Sequence, residues 1–528
     1  MTRPGATPSR GRQVRLPRVV RLRALGIAGV GAALAMTACG TKVSDAQIER
    51  AEAGNPATVQ LTSTAPTPAP TSGGGTTAAE PTTAVTAPAT GGGGGAIANP
   101  LANTGSTTTT GGGTTNVATA PSAVGRPAAA GTTGTKAPST QPASAASSGG
   151  AAAASAPCTT EGTPVVLGQD GAFSGLIGQS SGGTRTGLAV WAKDVNARGG
   201  VQCHPVQVFS DDDGSDPSSA ASNTTDLIET KKAVAMIGSD VPITIAAYRN
   251  VVDKYAIPTL GGDSIAPDWS EDPLLFPQGS DPQTLYEGPI KYAIQATGKN
   301  RLAIITCVEA AVCAYVNRVL SDPAAAARDG YTLAANMTAS LTQTDYTSEC
   351  QNMKNANVGL VFTTLDVSSL ERLARSCASL NYQIPIVTSA LAIAPSLSTD
   401  NNVAQIPVYY SSPVAPYASD DAALAGFHAA YKKYASAALE DGPGMLGWAS
   451  GKLFEAALDK VPAARNGPIT TAMVLQGLYA LKNETLGGLS PGITFAQGKP
   501  APRVTCYYML LLKNHMTTAP AGAAKQCL

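Results

Sequence analysis

The chain has 528 residues, with 36 Lys and Arg against 36 Asp and Glu, so its formal charge is zero. A nucleic-acid binder normally presents a basic face, which this balance argues against. The averages hide a composite: residues 1–38 hold seven arginines and no acid, and all 7 Phe, 16 Tyr and 3 Trp fall at or after Phe173.

The arginine-rich start runs into the apolar stretch Ala24–Met36 and then Thr37-Ala38-Cys39. A basic segment, a short apolar run and small residues make an export signal over residues 1–38. The run is too short to cross a bilayer, which takes roughly 20 residues. The Leu34-Ala35-Met36-Thr37-Ala38-Cys39 ending resembles a bacterial lipobox, with Met36 where that motif prefers Leu. The resemblance implies cleavage before Cys39 and its diacylation, and two acyl chains anchor a protein stably to a membrane surface. Between Cys39 and Pro157 the chain becomes Gly, Thr, Ala, Ser and Pro, and from 53 to 157 its only charges are Glu80, Arg126 and Lys136. Such a segment has too little apolar surface to offset the entropy of ordering, so residues 39–157 read as a disordered linker. As a flexible coil its span is about 60 Å.

Assigning Cys39 to lipid leaves Cys158, Cys203, Cys307, Cys313, Cys350, Cys377, Cys506 and Cys527. An even set in an exported chain reads as disulfides. Proximity favours Cys158–Cys203, Cys307–Cys313, Cys350–Cys377 and Cys506–Cys527. No pair has CxxC spacing and His204, His428 and His515 are isolated, so neither a metal nor another cofactor is expected.

Residues 158–528 exceed the roughly 250–300 at which one core divides. They carry 25 basic and 32 acidic residues, which makes the module mildly acidic. Val165-Val166-Leu167 is a strand. Leu188, Trp191, Ala192 and Val195 mark one helix face, stopped by Gly199-Gly200. Val206–Phe209 is a second strand, Asp216-Pro217 opens a second helix, and Ala233–Ile237 is a third strand. A helix over 243–255 leads to a fourth strand at Ile257–Leu260. The pattern restarts at Leu302–Ile305 and continues through Thr332–Ala334, Val358–Phe362 and Ile384–Val387, with longer helical patterns near 420–434 and 445–460. Alternation of this kind gives an α/β protein of two doubly wound parallel-sheet lobes with a cleft between them. Lobe 1 is expected at 158–283 plus 415–485, lobe 2 at 284–414 plus 486–528. Ligands of such sheets sit beyond the carboxyl ends of the strands.

The segments Gly168-Gln169-Asp170-Gly171-Ala172-Phe173-Ser174-Gly175, Asp194-Val195-Asn196-Ala197-Arg198-Gly199-Gly200, Asp211-Asp212-Asp213, Asp216-Pro217 and Ile237-Gly238-Ser239 occur in an order and spacing that resembles the type I periplasmic binding proteins of ABC importers. The resemblance is greatest to the branched-chain amino-acid group and covers nearly all of 164–528. It implies two lobes closing on a ligand about a three-stranded hinge, no catalysis, and permease subunits as partners. In that pattern the first lobe grips a ligand carboxylate at positions matching Ser239 and Gly262-Asp263-Ser264, where Ser239 can equally cap a helix. Ser174 and Gln179, in the first loop, are further candidates. The second lobe departs from the pattern: Thr363-Thr364-Leu365-Asp366 and Thr388-Ser389-Ala390 follow its strands, with no acid after the latter. Thr364, Asp366 and Ser389 are therefore candidates, and Asp366 or Asp263 either supplies negative charge or caps a turn. Glu309 lies inside the Cys307–Cys313 loop, and Trp269 and Tyr286 lie near the expected lobe crossing.

No nucleophile elbow, phosphate loop or zinc-protease helix occurs, since Ser174 sits in G-x-x-S-G. The expected function is delivery of a small polar solute, an amino acid or a related amide or short peptide, from the outer face of the cell membrane to an ABC importer. The alternative is a sensory receptor lipoprotein using the same cleft. No nucleic-acid partner is expected.

Overall fold

A computed structural model describes Cys158 and residues 160–528; the expected signal segment, the lipidation site Cys39 and the linker lie outside the described residues. The first strand, β1 (Val165–Gly171), is buried along nearly all its length. It is followed by α1 (Gly178–Ala197), which turns Leu188, Trp191 and Val195 inward and ends where Gly199 and Gly200 take positive φ. Next come β2 (Val206–Asp212) and α2 (Pro217–Glu229), whose cap is the expected Asp216, accepting from the Ser219 N–H with Pro217 in the first turn. The lobe continues through β3 (Ala235–Ser239), α3 (Ile245–Tyr255), β4 (Thr259–Gly262) and β5 (Leu275–Phe276). The third and fourth strands start two residues later than their apolar runs. Ala233 and Ile257 are spent closing the preceding helices, donating to Leu227 O and Val252 O. The sheet is parallel, in the order β2-β1-β3-β4-β5.

The second lobe opens with α4 (Pro282–Thr297), β6 (Arg301–Thr306), α5 (Ala311–Ser321), α6 (Pro323–Asp329) and β7 (Thr332–Thr338). It continues with α7 (Thr347–Asn355), β8 (Leu360–Thr363), α8 (Val367–Ser379), β9 (Ile386–Ser389), the short α9 (Asn401–Ala404) and β10 (Val408–Ser412). The chain then returns to the first lobe as α10 (Ala425–Tyr434), α11 (Gly442–Asp459) and α12 (Thr471–Ala480), before β11 (Cys506–Lys513), β12 (Met516–Thr518) and β13 (Gln526–Cys527) complete the second sheet. Its order is β12-β11-β10-β9-β8-β6-β7, with β13 also on β11; β11 runs antiparallel to β10, and the rest from β10 to β7 is parallel.

One expected boundary moves. Leu486, Leu489, Ile493 and Phe495 pack in the core of the first lobe, so the returning segment extends about ten residues beyond the expected 485. Apolar burial decides it: Phe495 meets Phe276 edge to face at 5.1 Å. Three connections therefore run between the cores, following β5, β10 and Phe495, and they are laced together. The Ser280 N–H donates to Pro413 O (3.2 Å), its hydroxyl to Cys506 O (2.6 Å), and the Asp281 N–H to Val504 O (3.3 Å). Gly279 lies here because a Cβ would stand 1.9 Å from Pro413 O.

The four disulfides are Cys158–Cys203, Cys307–Cys313, Cys350–Cys377 and Cys506–Cys527, the pairs that proximity favours. They tie the entry of β1 to the loop before β2, close the loop after β6, join α7 to α8, and join β11 to β13. Among the described residues no helix is long and apolar enough to cross a membrane.

Candidate functional site

Loops after β1, β3 and β4 of one lobe face loops after β6, β8 and β9 of the other across a cavity of about 80 Å³. The first lobe contributes Ile177, Ser180, Ser181, Asp240, Ile243 and Ile265 to its wall; the second contributes Tyr286, the segment Phe362–Asp366, Thr388 and Ser389, with the Cys307 loop beside them. The position is the one parallel sheets dictate, at the carboxyl ends of their strands.

Ser180 and Ser181 open α1, the helix carried by the loop after β1. The Ser181 hydroxyl donates to Asp240 Oδ1 (3.2 Å) and the Thr184 hydroxyl to Oδ2 (2.7 Å), which fixes the Asp240 carboxylate against the cavity wall. Burial, reinforced by the nearby negative charge of Asp263, raises the pKa of Asp240. Across the cleft, Asp366 caps α8 by accepting the Ser368 and Ser369 N–H groups, both at 3.2 Å. It thus performs the cap role and lines the cavity as well. Thr364 is tied to the disulfide loop, its oxygen accepting the Cys307 N–H (3.0 Å). The Glu309 carboxylate accepts from the Ser340 hydroxyl (2.6 Å) and the Leu341 N–H (2.9 Å), so it pins that loop in place instead of facing a ligand.

Thr364, Asp366 and Ser389 are brought together at the cavity. Ser174, Ser239, Gly262, Asp263 and Ser264 are not among the lining residues. Ser174 is exposed on the outer part of its loop. Ser239 is fully buried and its oxygen accepts from the Tyr248 hydroxyl (3.0 Å). Asp263 accepts three N–H groups, from Val241 (3.1 Å), Ile265 (3.1 Å) and the Trp269 indole (2.9 Å). Gly262 and Ser264 are both bound to the Gln278 side chain. The Gly262 and Asp263 N–H groups and the Ser264 hydroxyl are thus bound within the protein, away from the cavity, and Trp269 serves packing. Tyr286 does two things, lining the cavity and donating its hydroxyl to Ile265 O across the lobes.

Sequence reasoning passed over Ser180, Ser181 and Asp240. The signal for Asp240 was its place directly after the third strand; for the serines it was their adjacency to Gln179 at the start of a helix. Gln179 itself bridges the lobes, its Nε2 donating to Ser396 Oγ (2.7 Å) and its Oε1 accepting from Ser368 Oγ (3.1 Å). Ser180 Oγ accepts the Val367 N–H at 3.3 Å, a second tie between the lobes. Among the described residues no group of three His, Cys, Asp or Glu is placed to hold a metal ion.

Residues 164–515 match the family profile described as periplasmic binding protein. Solved structures share the fold. A leucine-binding protein from Thermotoga maritima is 14% identical, with a TM-score of 0.56, 68% of this chain and 98% of that one being covered. A fatty acid ABC transporter substrate-binding protein from Thermomonospora curvata is 16% identical (TM-score 0.57; 70% and 93% covered). An ABC transporter solute-binding protein from R. palustris in complex with benzoate is 17% identical (TM-score 0.54; 69% and 98% covered). Among curated proteins no sequence matches this chain.

Proposed function

Because the chain belongs to the periplasmic binding protein family, whose members bind small solutes outside the cytoplasm, we propose that it is the solute receptor of an ABC importer, tethered to the outer face of the membrane through lipid on Cys39. The observation that carries this reading is the cavity between the lobes, walled from both sides by residues at the ends of their strands. A ligand held by both walls favours the closed arrangement, because its contacts with each lobe are complete only when the cleft is shut. The laced connections around Ser280 supply the hinge. The domain plan follows: a lipidated Cys39, a linker to 157 that holds the lobes away from the bilayer, and the solute-binding module from 158. The neighbours named for leucine, fatty acid and benzoate support a small organic solute and do not select among such solutes.

The test is thermal denaturation of the exported full chain in detergent against a panel of amino acids, amides, short peptides, alcohols, amines and aromatic acids. A ligand at 100 times its Kd stabilises the folded state by about 2.7 kcal/mol and raises Tm accordingly. A panel that leaves Tm unchanged throughout overturns the receptor reading. Mass spectrometry of the same material is expected to find a diacylated N-terminal Cys39; a free or internal Cys39 removes the anchor.

A further inference from the structure

We propose that the solute is an apolar molecule bearing a hydrogen-bond donor and no carboxylate, in the class of an amine, alcohol or amide. The inference rests on the solute-binding role proposed above and concerns the chemistry of the same cavity. Most of the wall is hydrocarbon: Ile243 and Ile265 from one lobe face Val312, Phe362, Leu365 and Leu391 from the other. Such a surface rewards an apolar body by roughly 25 cal/mol for each Å² removed from water.

The acidic groups on the wall are Asp240 from the first lobe and Asp366 from the second; no Lys, Arg or His is among the lining residues. Arg372, which is not among the lining residues, donates from Nη2 to Leu341 O (2.6 Å) and Ser369 Oγ (2.7 Å), and its buried Nε has no partner among the described residues. The N-terminus of α8 also points here, and its donors are taken. The Ser368 and Ser369 N–H groups go to Asp366 and the Val367 N–H goes to Ser180. A buried charge is tolerated only when it is paired. A ligand carboxylate entering this cavity would meet two acidic side chains in a largely apolar wall and no cation. A donor meets the opposite situation. Asp240 accepts one hydroxyl on each oxygen and its carboxyl oxygens have further lone pairs to offer. The Ser389 hydroxyl lines the cavity with no hydrogen-bond partner among the described residues, free to pair with a ligand hydroxyl or amide.

Matched probes decide the matter on the exported full chain. In each set one apolar body carries different heads: benzylamine, benzyl alcohol, benzamide and benzoate; isoamylamine, isoamyl alcohol, isovaleramide and isovalerate; and, with the amine kept throughout, leucinol, leucinamide and leucine. Affinities come from calorimetry. The expected result is that an amine, alcohol or amide binds, with its carboxylate counterpart weaker by about tenfold or more, the scale on which an unpaired buried polar group is penalised. A carboxylate that binds as tightly as its matched partners overturns the proposed class and leaves the receptor role standing. No binding by any probe overturns both. A second arm, run above the raised pKa of about 8 so that Asp240 is ionised, uses Asp240→Asn, which keeps the shape and removes the charge. The ratio of carboxylate to amine affinity should rise by about tenfold; a folded variant with an unchanged ratio also overturns the proposal, and the wild-type ratio decides if the variant does not fold.

Discussion

Asp170 shows how one side chain can set the response of the whole protein to pH. It is fully buried at the end of β1, held by the Asn223 amide (3.1 Å) and the Thr224 hydroxyl (3.4 Å). Burial is the largest influence on it, and its pKa is pushed from 3.8 to about 8. The folded protein therefore holds a proton that the unfolded chain releases above pH 4. Stability from this group is complete below the unfolded pKa and is lost as pH rises through the folded one, at about 1.4 kcal/mol per unit of difference. Asp213 and Asp240, also raised by burial, act in the same direction. Tm is expected to fall between pH 5 and pH 8.5, and Asp170→Asn to flatten that fall; calorimetry across the range checks both, and a rise in Tm over it refutes the assignment. Local chemistry of this kind is only half legible in a sequence. The cap at Asp216-Pro217 can be read directly because it depends on neighbours in the chain. Asp240 cannot, because its partners Ser181 and Thr184 come from a helix 56 residues earlier or more. Ser239, one residue before it, carries the family pattern and draws the attention that belongs to its neighbour.

Between elements, the tightest relation is that of α1 with α11. The two helices approach until their backbones touch, and glycine is what permits it: a Cβ at Gly187 would stand 1.8 Å from Gly444 O, and one at Gly447 would stand 2.1 Å from Thr184 O. Gly182 lies in the same helix α1 with nothing within 4 Å of the same point. The two positions make opposite predictions for one substitution. Gly447→Ala forces the helices apart and should cost about 1–3 kcal/mol. Gly182→Ala should stabilise by up to about 1 kcal/mol, because alanine loses less backbone entropy in a helix. Chemical denaturation of both variants measures the difference, and equal effects would refute the close-approach argument. The alternation of strands and helices was legible because each parallel strand is a short apolar run followed by a 3.6-residue pattern. The antiparallel pairing of β10 with β11 was not, since a long excursion through the other lobe separates them and nothing local marks them as neighbours. The misplaced boundary at 485 has the same origin: Leu486 opens a single 3-10 turn, Leu489 and Ile493 lie outside any helix or strand, and only their burial beside Phe495 assigns them to the first core.

At the scale of the molecule, few side-chain hydrogen bonds join the lobes beside the cavity among the described residues. Gln179 joins Ser396 and Ser368, Ser180 receives the Val367 N–H, and the Tyr286 hydroxyl reaches Ile265 O; the hinge itself crosses at the laced segments around Ser280. The Gln179 bonds are exposed, so each contributes little, on the order of 0.5–1.5 kcal/mol. That is the useful range for a receptor. A closing equilibrium biased by a few kcal/mol can be moved by a solute whose contacts are worth slightly more, whereas a strongly latched cleft could not release it. Removing the Gln179 and Ser180 side-chain groups together, as Gln179→Ala with Ser180→Ala, takes away three such bonds and should shift the balance toward the open arrangement by roughly tenfold or more. Two readings separate this from simple loss of stability. Small-angle scattering of the unliganded protein should show a larger radius of gyration than wild type, and saturation with a ligand should restore the wild-type value, because the cavity contacts of Thr363, Asp366 and Ser389 remain. The apparent affinity should fall at least by the same factor as the closed population, since the apparent Kd is the intrinsic one divided by the fraction of molecules in the arrangement that the ligand selects. An unchanged radius together with unchanged affinity would mean that the hinge alone sets the angle between the lobes, and that Gln179 follows the closure without holding it.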